Sequence, residues 1–112
     1  MRAIAIAVVA LVALLALGGM AGAAPEATVK VGDNFLRPGQ KTVRKGTKVR
    51  FEWVGAARHH IVKSKGPGGP IKSPATAKRG VNLAKRFERK GTYRFLCTIH
   101  PTEMRLKLVI VK

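Results

Sequence analysis

Residues 91–112 read GTYRFLCTIHPTEMRLKLVIVK, which is two alternating runs joined by a short loop. In the first run Tyr93, Phe95 and Cys97 fall on one face. In the second run Met104 and every second residue after it share a face. A period of two is typical of a β-strand that is buried on one side. The pattern therefore predicts two strands that direct Cys97 and Met104 into a common core.

The chain upstream continues in the same short period. Its other alternating or apolar runs are separated by glycine and proline and lie at residues 27–31, 41–45, 48–54 and 58–64. Residues 82–89 fit either a strand or one helical turn. Residues 65–80 show no periodicity and are expected to be the least ordered part of the domain. Seven to eight short strands with no helix predict an all-β, Greek-key β-sandwich.

The first 23 residues are expected to lie outside that domain. Arg2 precedes an apolar run over residues 3–17, and small residues ending in Ala21-Gly22-Ala23 follow. This is the layout of a secretory signal peptide with cleavage after Ala23. An uncleaved membrane anchor is the alternative, because the apolar and small residues together number about twenty. The predicted organisation is a signal peptide, residues 1–23, and one exported domain, residues 24–112, which is extracellular, periplasmic or held at the cell envelope.

The size of the domain limits its function. A chain of this length buries only around 60% of its unfolded surface, which supports one small core. Two dinucleotide-binding halves, a TIM barrel or a kinase do not fit. The single cysteine, Cys97, also excludes a disulfide scaffold, although an exported protein is free to form one.

The loop between the last two predicted strands carries potential metal ligands. His100 lies between Cys97 and Met104, so a thiolate, an imidazole and a thioether share one end of the sandwich. Two histidines and a cysteine with a weak axial methionine form blue-copper electron-transfer sites. A second imidazole is available from His59 or His60, about forty residues upstream. Each of these residues alone is more often core or surface than ligand, but their joint spacing favours copper.

The same residues resemble a known family. The pattern Tyr93-x-Phe95-x-Cys97-x-x-His100-x-x-x-Met104 resembles the C-terminal signature of cupredoxins of the plastocyanin, amicyanin and pseudoazurin group. The resemblance extends over residues 24–112 through three shorter motifs, which are Gly32-Asp33-Asn34-Phe35, Lys45-Gly46-Thr47 and Phe51-x-Trp53.

This resemblance implies a ligand set. Cys97 would be the short equatorial thiolate, His100 and an upstream histidine the two imidazoles, and Met104 the long axial ligand. Family members usually have His-Asn-Val at the upstream position, where the Asn braces the two ligand-bearing loops. His59 maps onto the ligand and His60 onto the Asn, so His59 is the favoured ligand and His60 the alternative.

The implied function is the transfer of single electrons through a type 1 copper ion, with His100 as the residue through which electrons pass to the partner. No nucleophile paired with a general base is evident, so the protein is predicted not to be an enzyme. A copper delivery or sequestration protein of the same fold is the alternative. A metal-free basic adhesion module is a third hypothesis, and only it predicts that function survives Cys97→Ser.

The charge of the domain indicates acidic partners. Residues 24–112 hold 21 of the 22 Lys and Arg residues and all five acids, a net charge of +16. Such a charge favours fast, salt-sensitive association with acidic surfaces. The predicted partners of this monomer are a redox protein with an acidic docking surface and an anionic cell envelope. Nucleic acid is disfavoured, because the cations are scattered along the strands. The alternative is that the lysine and arginine side chains only occupy the solvent-exposed faces of the strands and do not steer a partner.

Overall fold

The computed structural model describes residues 25–112, so the predicted signal peptide, residues 1–23, and Ala24 lie outside the described residues. Eight strands follow one another and are, in chain order, β1 (Glu26–Val31), β2 (Leu36–Arg37), β3 (Gln40–Arg44), β4 (Lys48–Trp53), β5 (Ile61–Lys65), β6 (Gly80–Arg86), β7 (Gly91–Cys97) and β8 (Arg105–Val111). No helix within the described residues has the length and hydropathy needed to span a membrane.

The strands form two four-stranded sheets. The first sheet has the order β2-β1-β4-β6 and the second the order β3-β8-β7-β5. The pairs β1–β4 and β3–β8 are parallel, and the other neighbours are antiparallel. The predicted all-β sandwich is therefore confirmed.

The core lies between the two sheets and follows the alternation in the sequence. In β4 the inward residues Val49, Phe51 and Trp53 are buried, and the residues between them are half-buried. Phe51 packs on Phe95 across the sandwich, with ring centroids 5.2 Å apart. Aromatic side chains bury large apolar areas, so contacts of this kind hold the sheets together.

Two parts of the chain differ from the sequence prediction. The two-residue strand β2 was not predicted, because so short a segment has no measurable period. Residues 65–80 are expected to be the least ordered part of the domain, yet Lys65 belongs to β5, Gly80 belongs to β6, and the backbone between them is bonded to β5. Ser73 donates its N–H to the Ile61 carbonyl, and Lys63 donates its N–H to the Ile71 carbonyl. The bonding partners are distant in sequence, so no local pattern reports them.

Candidate metal centre

His59, Cys97 and His100 meet at one end of the sandwich. One ligand atom from each of the three residues lies within 4.8 Å of the other two. The Sγ atom of Cys97 is 3.6 Å from Nδ1 of His59, and the two imidazole centroids are 6.0 Å apart. The fold thus brings an upstream histidine to the C-terminal loop, as the sequence predicted.

Cys97 is positioned by the pairing of β7 with β5. It ends β7, lies opposite Ile61 at the start of β5, and has no exposed surface. Its backbone N–H donates to the Met104 carbonyl over 3.1 Å, which closes the loop that follows. The inward direction of the thiol follows from the alternation with Tyr93 and Phe95.

His59 is positioned by its backbone. Its N–H donates to the Thr76 carbonyl over 2.9 Å, and the Thr76 N–H donates back to the His59 carbonyl over 3.0 Å. Trp53 adds a bond from its indole Nε1 to the same Thr76 carbonyl, over 2.9 Å. The imidazole is fully buried. Residues 66–79, which have no period of their own, therefore fix the residue that contributes the upstream imidazole.

His100 and Met104 belong to the loop between β7 and β8. The Met104 N–H donates to the His100 carbonyl over 3.0 Å, so the loop is held at both ends. The Met104 side chain is fully buried, whereas His100 is only half-buried. The four predicted ligand residues form a His-Cys-His-Met cluster at this end of the sandwich.

His60 has a different environment from His59. Its Nδ1 lies 3.1 Å from the Thr98 hydroxyl, and its carbonyl accepts the Thr98 N–H over 3.0 Å. The side chain is half-buried, and no atom of it joins the group formed by His59, Cys97 and His100. His60 links the upstream histidine pair to the Cys97 loop, at the position where the resemblance places a bracing Asn.

Asp33 is a site residue that the sequence did not single out. Its Oδ1 accepts the backbone N–H groups of Ala56 and Ala57, over 2.9 and 2.8 Å, and lies 3.4 Å from Nε2 of His59. The Ala57 amide, more than His59 and Ala56, lowers the pKa of the Asp33 carboxyl from its ordinary value. Asp33 therefore faces the imidazole as a carboxylate. Its only sequence signal was membership of the Gly32-Asp33-Asn34-Phe35 motif.

The donor set fits a copper ion. Imidazole nitrogen, thiolate and thioether are the ligands of type 1 copper sites. Nδ1 of His100 is buried and has no hydrogen-bond partner within residues 25–112. A buried imidazole nitrogen without a partner is costly unless it binds something else. This orphaned nitrogen, on a residue grouped with Cys97 and His59, is the feature of the structure that a bound metal explains.

The fold matches solved structures of amicyanin. The Cu(I) form of a single-site amicyanin variant aligns with a TM-score of 0.67 at 27% identity, covering 79% of this chain and 84% of that one. A reduced amicyanin variant aligns with a TM-score of 0.66 at 27% identity, covering 80% and 87%.

A larger protein shares the fold alone. Copper-containing nitrite reductase from Thermus scotoductus aligns with a TM-score of 0.65 at 23% identity, over 78% of this chain and 22% of that one. No family model and no curated protein matches the sequence. By its fold and by its His-Cys-His-Met cluster, the chain is a structural match to the amicyanin cupredoxins.

Proposed function

We propose that this chain is an exported type 1 copper protein that carries single electrons between redox partners. The observation that carries the proposal is the meeting of His59, Cys97 and His100, with Nδ1 of His100 buried and unpaired among the described residues. The matching amicyanin structures include reduced and Cu(I) forms, which supports copper as the metal.

Four residues would hold the metal. His59 and His100 would supply imidazole nitrogens, Cys97 the thiolate and Met104 the thioether. When bound to such a set, copper supplies one-electron exchange between Cu(I) and Cu(II). His60 is left out of the set, because its Nδ1 is engaged with the Thr98 hydroxyl.

The protein contributes a fixed and dry environment. The side chains of His59, Cys97 and Met104 are fully buried, so water has no access from their side. Backbone hydrogen bonds join Thr76 to His59 and Met104 to both Cys97 and His100. Ligands held in this way move little between oxidation states, so electron transfer needs little reorganisation.

His100 is the route to the surface. It is the one half-buried member of the three-residue group, and it lies between the exposed residues Ile99 and Pro101. Ile99 exposes 46% of its surface. This small apolar patch around an imidazole edge suits brief contact with a partner protein.

The proposal is of a carrier, not an enzyme, since the Cys97 thiol would be a metal ligand instead of a nucleophile. An amicyanin-like carrier implies redox partner proteins. We infer that these partners have acidic docking surfaces, because the domain is strongly cationic. We also infer export, which rests on the signal-peptide pattern in residues 1–23.

The test is a visible absorption spectrum of the protein purified after export and titrated with Cu(II). We expect an intense thiolate-to-copper band that saturates at one equivalent and is lost in Cys97→Ser. Cyclic voltammetry of the loaded protein then separates the carrier from a delivery protein. A reversible couple supports the carrier, whereas irreversible loss of copper on reduction supports delivery. Weak absorption that is the same in Cys97→Ser would contradict both.

A further inference from the structure

The outward faces of the two sheets differ in how their charges are arranged. On the first sheet, Glu26 pairs with Arg50 and Glu52 pairs with Lys30. The outward positions of β7 and β8 alternate with the buried ones, and no strand residue on the outward face of the second sheet is acidic. We call the exposed and half-buried cations of this second face the basic sheet face, and they are Arg44, Lys65, Arg94, Arg105 and Lys107.

Three of these cations form a row across the sheet. Arg94 of β7 lies opposite Lys107 of β8 on one side and opposite Lys65 of β5 on the other. Gln40, which lies opposite Lys107, extends the row to the edge strand β3. Strands lie about 4.8 Å apart, so the three cations span about 10 Å and the row that includes Gln40 spans about 15 Å. Like charges directly opposite each other destabilise a sheet. The stability of the fold therefore does not explain why these three cations lie opposite one another.

No carboxylate relieves the repulsion. Within residues 25–112, no acid lies within ion-pair distance of Arg94, Arg105 or Lys107. Arg105 is exposed, and its Nε donates to the Pro101 carbonyl over 2.7 Å. The three side chains border a shallow depression of about 120 Å³ with Ser64 and Gly39. The depression is therefore lined by three cationic side chains and no carboxylate.

We propose that the basic sheet face binds the phosphate headgroups of an anionic membrane surface. A sheet face with cations repeated at strand spacing can contact several phosphates at once. Protein interfaces instead have an exposed aromatic or aliphatic centre. The large hydrophobic residues exposed in the described chain are Val54, Val81, Ile99 and Val111, and only Val111 lies on this face. The face therefore lacks the aromatic anchor of a protein-docking site.

The placement is compatible with electron transfer. His100 lies at the end of the sandwich and the basic sheet face lies on its side. A molecule lying on a membrane by this face would keep the His100 end open to a partner protein. The proposal goes beyond the proposed carrier function, because lipid binding by this face does not require the metal.

The test is co-sedimentation with vesicles, made either of equal parts phosphatidylglycerol and phosphatidylcholine or of phosphatidylcholine alone. The variant is Arg94→Gln with Lys107→Gln. Its matched control is Lys30→Gln with Arg50→Gln on the first sheet, which removes the same charge from one exposed and one half-buried position, as the first variant does. We expect the first variant to reduce partitioning onto anionic vesicles roughly 30-fold, and the control less than about threefold. Arg44→Gln with Lys65→Gln should act like the first variant, and thermal unfolding checks that all variants are folded.

Equal losses in the test and control variants would overturn the proposal, because net charge alone would then explain binding. Equal binding to neutral vesicles would overturn it as well. Stronger retention on polyglutamate than on anionic vesicles, lost in Arg94→Gln with Lys107→Gln, would assign the face to an acidic protein instead. None of these outcomes depends on copper loading, so they are separable from failure of the proposed carrier function.

Discussion

The carboxylate of Asp33 and the thiol of Cys97 lie at opposite nitrogens of the same imidazole, that of His59. Asp33 Oδ1 is 3.4 Å from Nε2, and Cys97 Sγ is 3.6 Å from Nδ1. An ionised carboxylate next to Nε2 favours the proton on that nitrogen. Nδ1 is then left unprotonated on the side of the proposed metal. Asp33 thus orients a ligand without being one.

We expect Asp33→Asn to weaken copper binding about 10- to 100-fold, the range found when a carboxylate behind a ligating histidine is removed. The Asn side chain still offers an oxygen to the Ala56 and Ala57 amides, so the fold should be retained. Loss of a negative charge near the metal should also raise the reduction potential. Competition titration with a copper chelator and voltammetry measure the two effects. An unchanged copper affinity and an unchanged reduction potential would mean that Asp33 only holds the backbone of residues 55–57 through its hydrogen bonds.

Gly55→Ala should reproduce part of this effect without touching the carboxylate. A Cβ at Gly55 would overlap the Asp33 side chain, so the carboxylate must leave its present position beside His59. Gly69→Ala is the matched control, because nothing lies within 4 Å of a Cβ there. We expect copper affinity to fall in Gly55→Ala and to stay constant in Gly69→Ala, measured by the same titration. Equal affinities in the two variants would contradict the role given to Asp33.

The two adjacent histidines should respond differently to substitution. His59→Ala is expected to abolish the thiolate-to-copper band, because it removes a proposed ligand. His60→Asn should keep the band and the bond to Thr98, whereas His60→Ala should keep the band but lower the free energy of unfolding by about 1 kcal/mol. Absorption spectra and urea unfolding of the three variants check this. A band that survives in His59→Ala and disappears in both His60 variants would reverse the assignment.

Met104→Leu separates the packing of this side chain from its proposed role as a copper ligand. Leu is close to Met in volume, so we expect a loss of less than about 1.5 kcal/mol in stability although the site is fully buried. Removal of a thioether donor should favour Cu(I) and raise the reduction potential, since the axial ligand tunes it. Voltammetry of the loaded variant, with urea unfolding as the stability control, tests this. A large stability loss at constant potential would identify Met104 as core alone.

The parts of the fold that could be predicted from the sequence are the strands with a regular alternation of inward and outward residues. Strands β4, β7 and β8 alternate strictly, so their inward residues, including Cys97, could be assigned from the order of residues alone. Residues 66–79 and Asp33 could not be assigned, because their partners are remote in sequence. Thr76 bonds to His59, and Asp33 to the 55–57 loop, through contacts that exist only after the sheets have assembled. The choice between His59 and His60 needed the same tertiary information, since alternation gives both an aliphatic neighbour.

The segment that holds His59 also protects an edge. β5 is the last strand of its sheet, and an uncovered edge offers unpaired backbone groups to other chains, which promotes aggregation. Residues 66–79 occupy those groups through the bridges of Val62 with Lys72 and of His59 with Thr76. Substitutions that disrupt residues 66–79 would therefore lower both the solubility of the protein and its affinity for the metal. One segment therefore supports both the closed edge of the sheet and the proposed metal site.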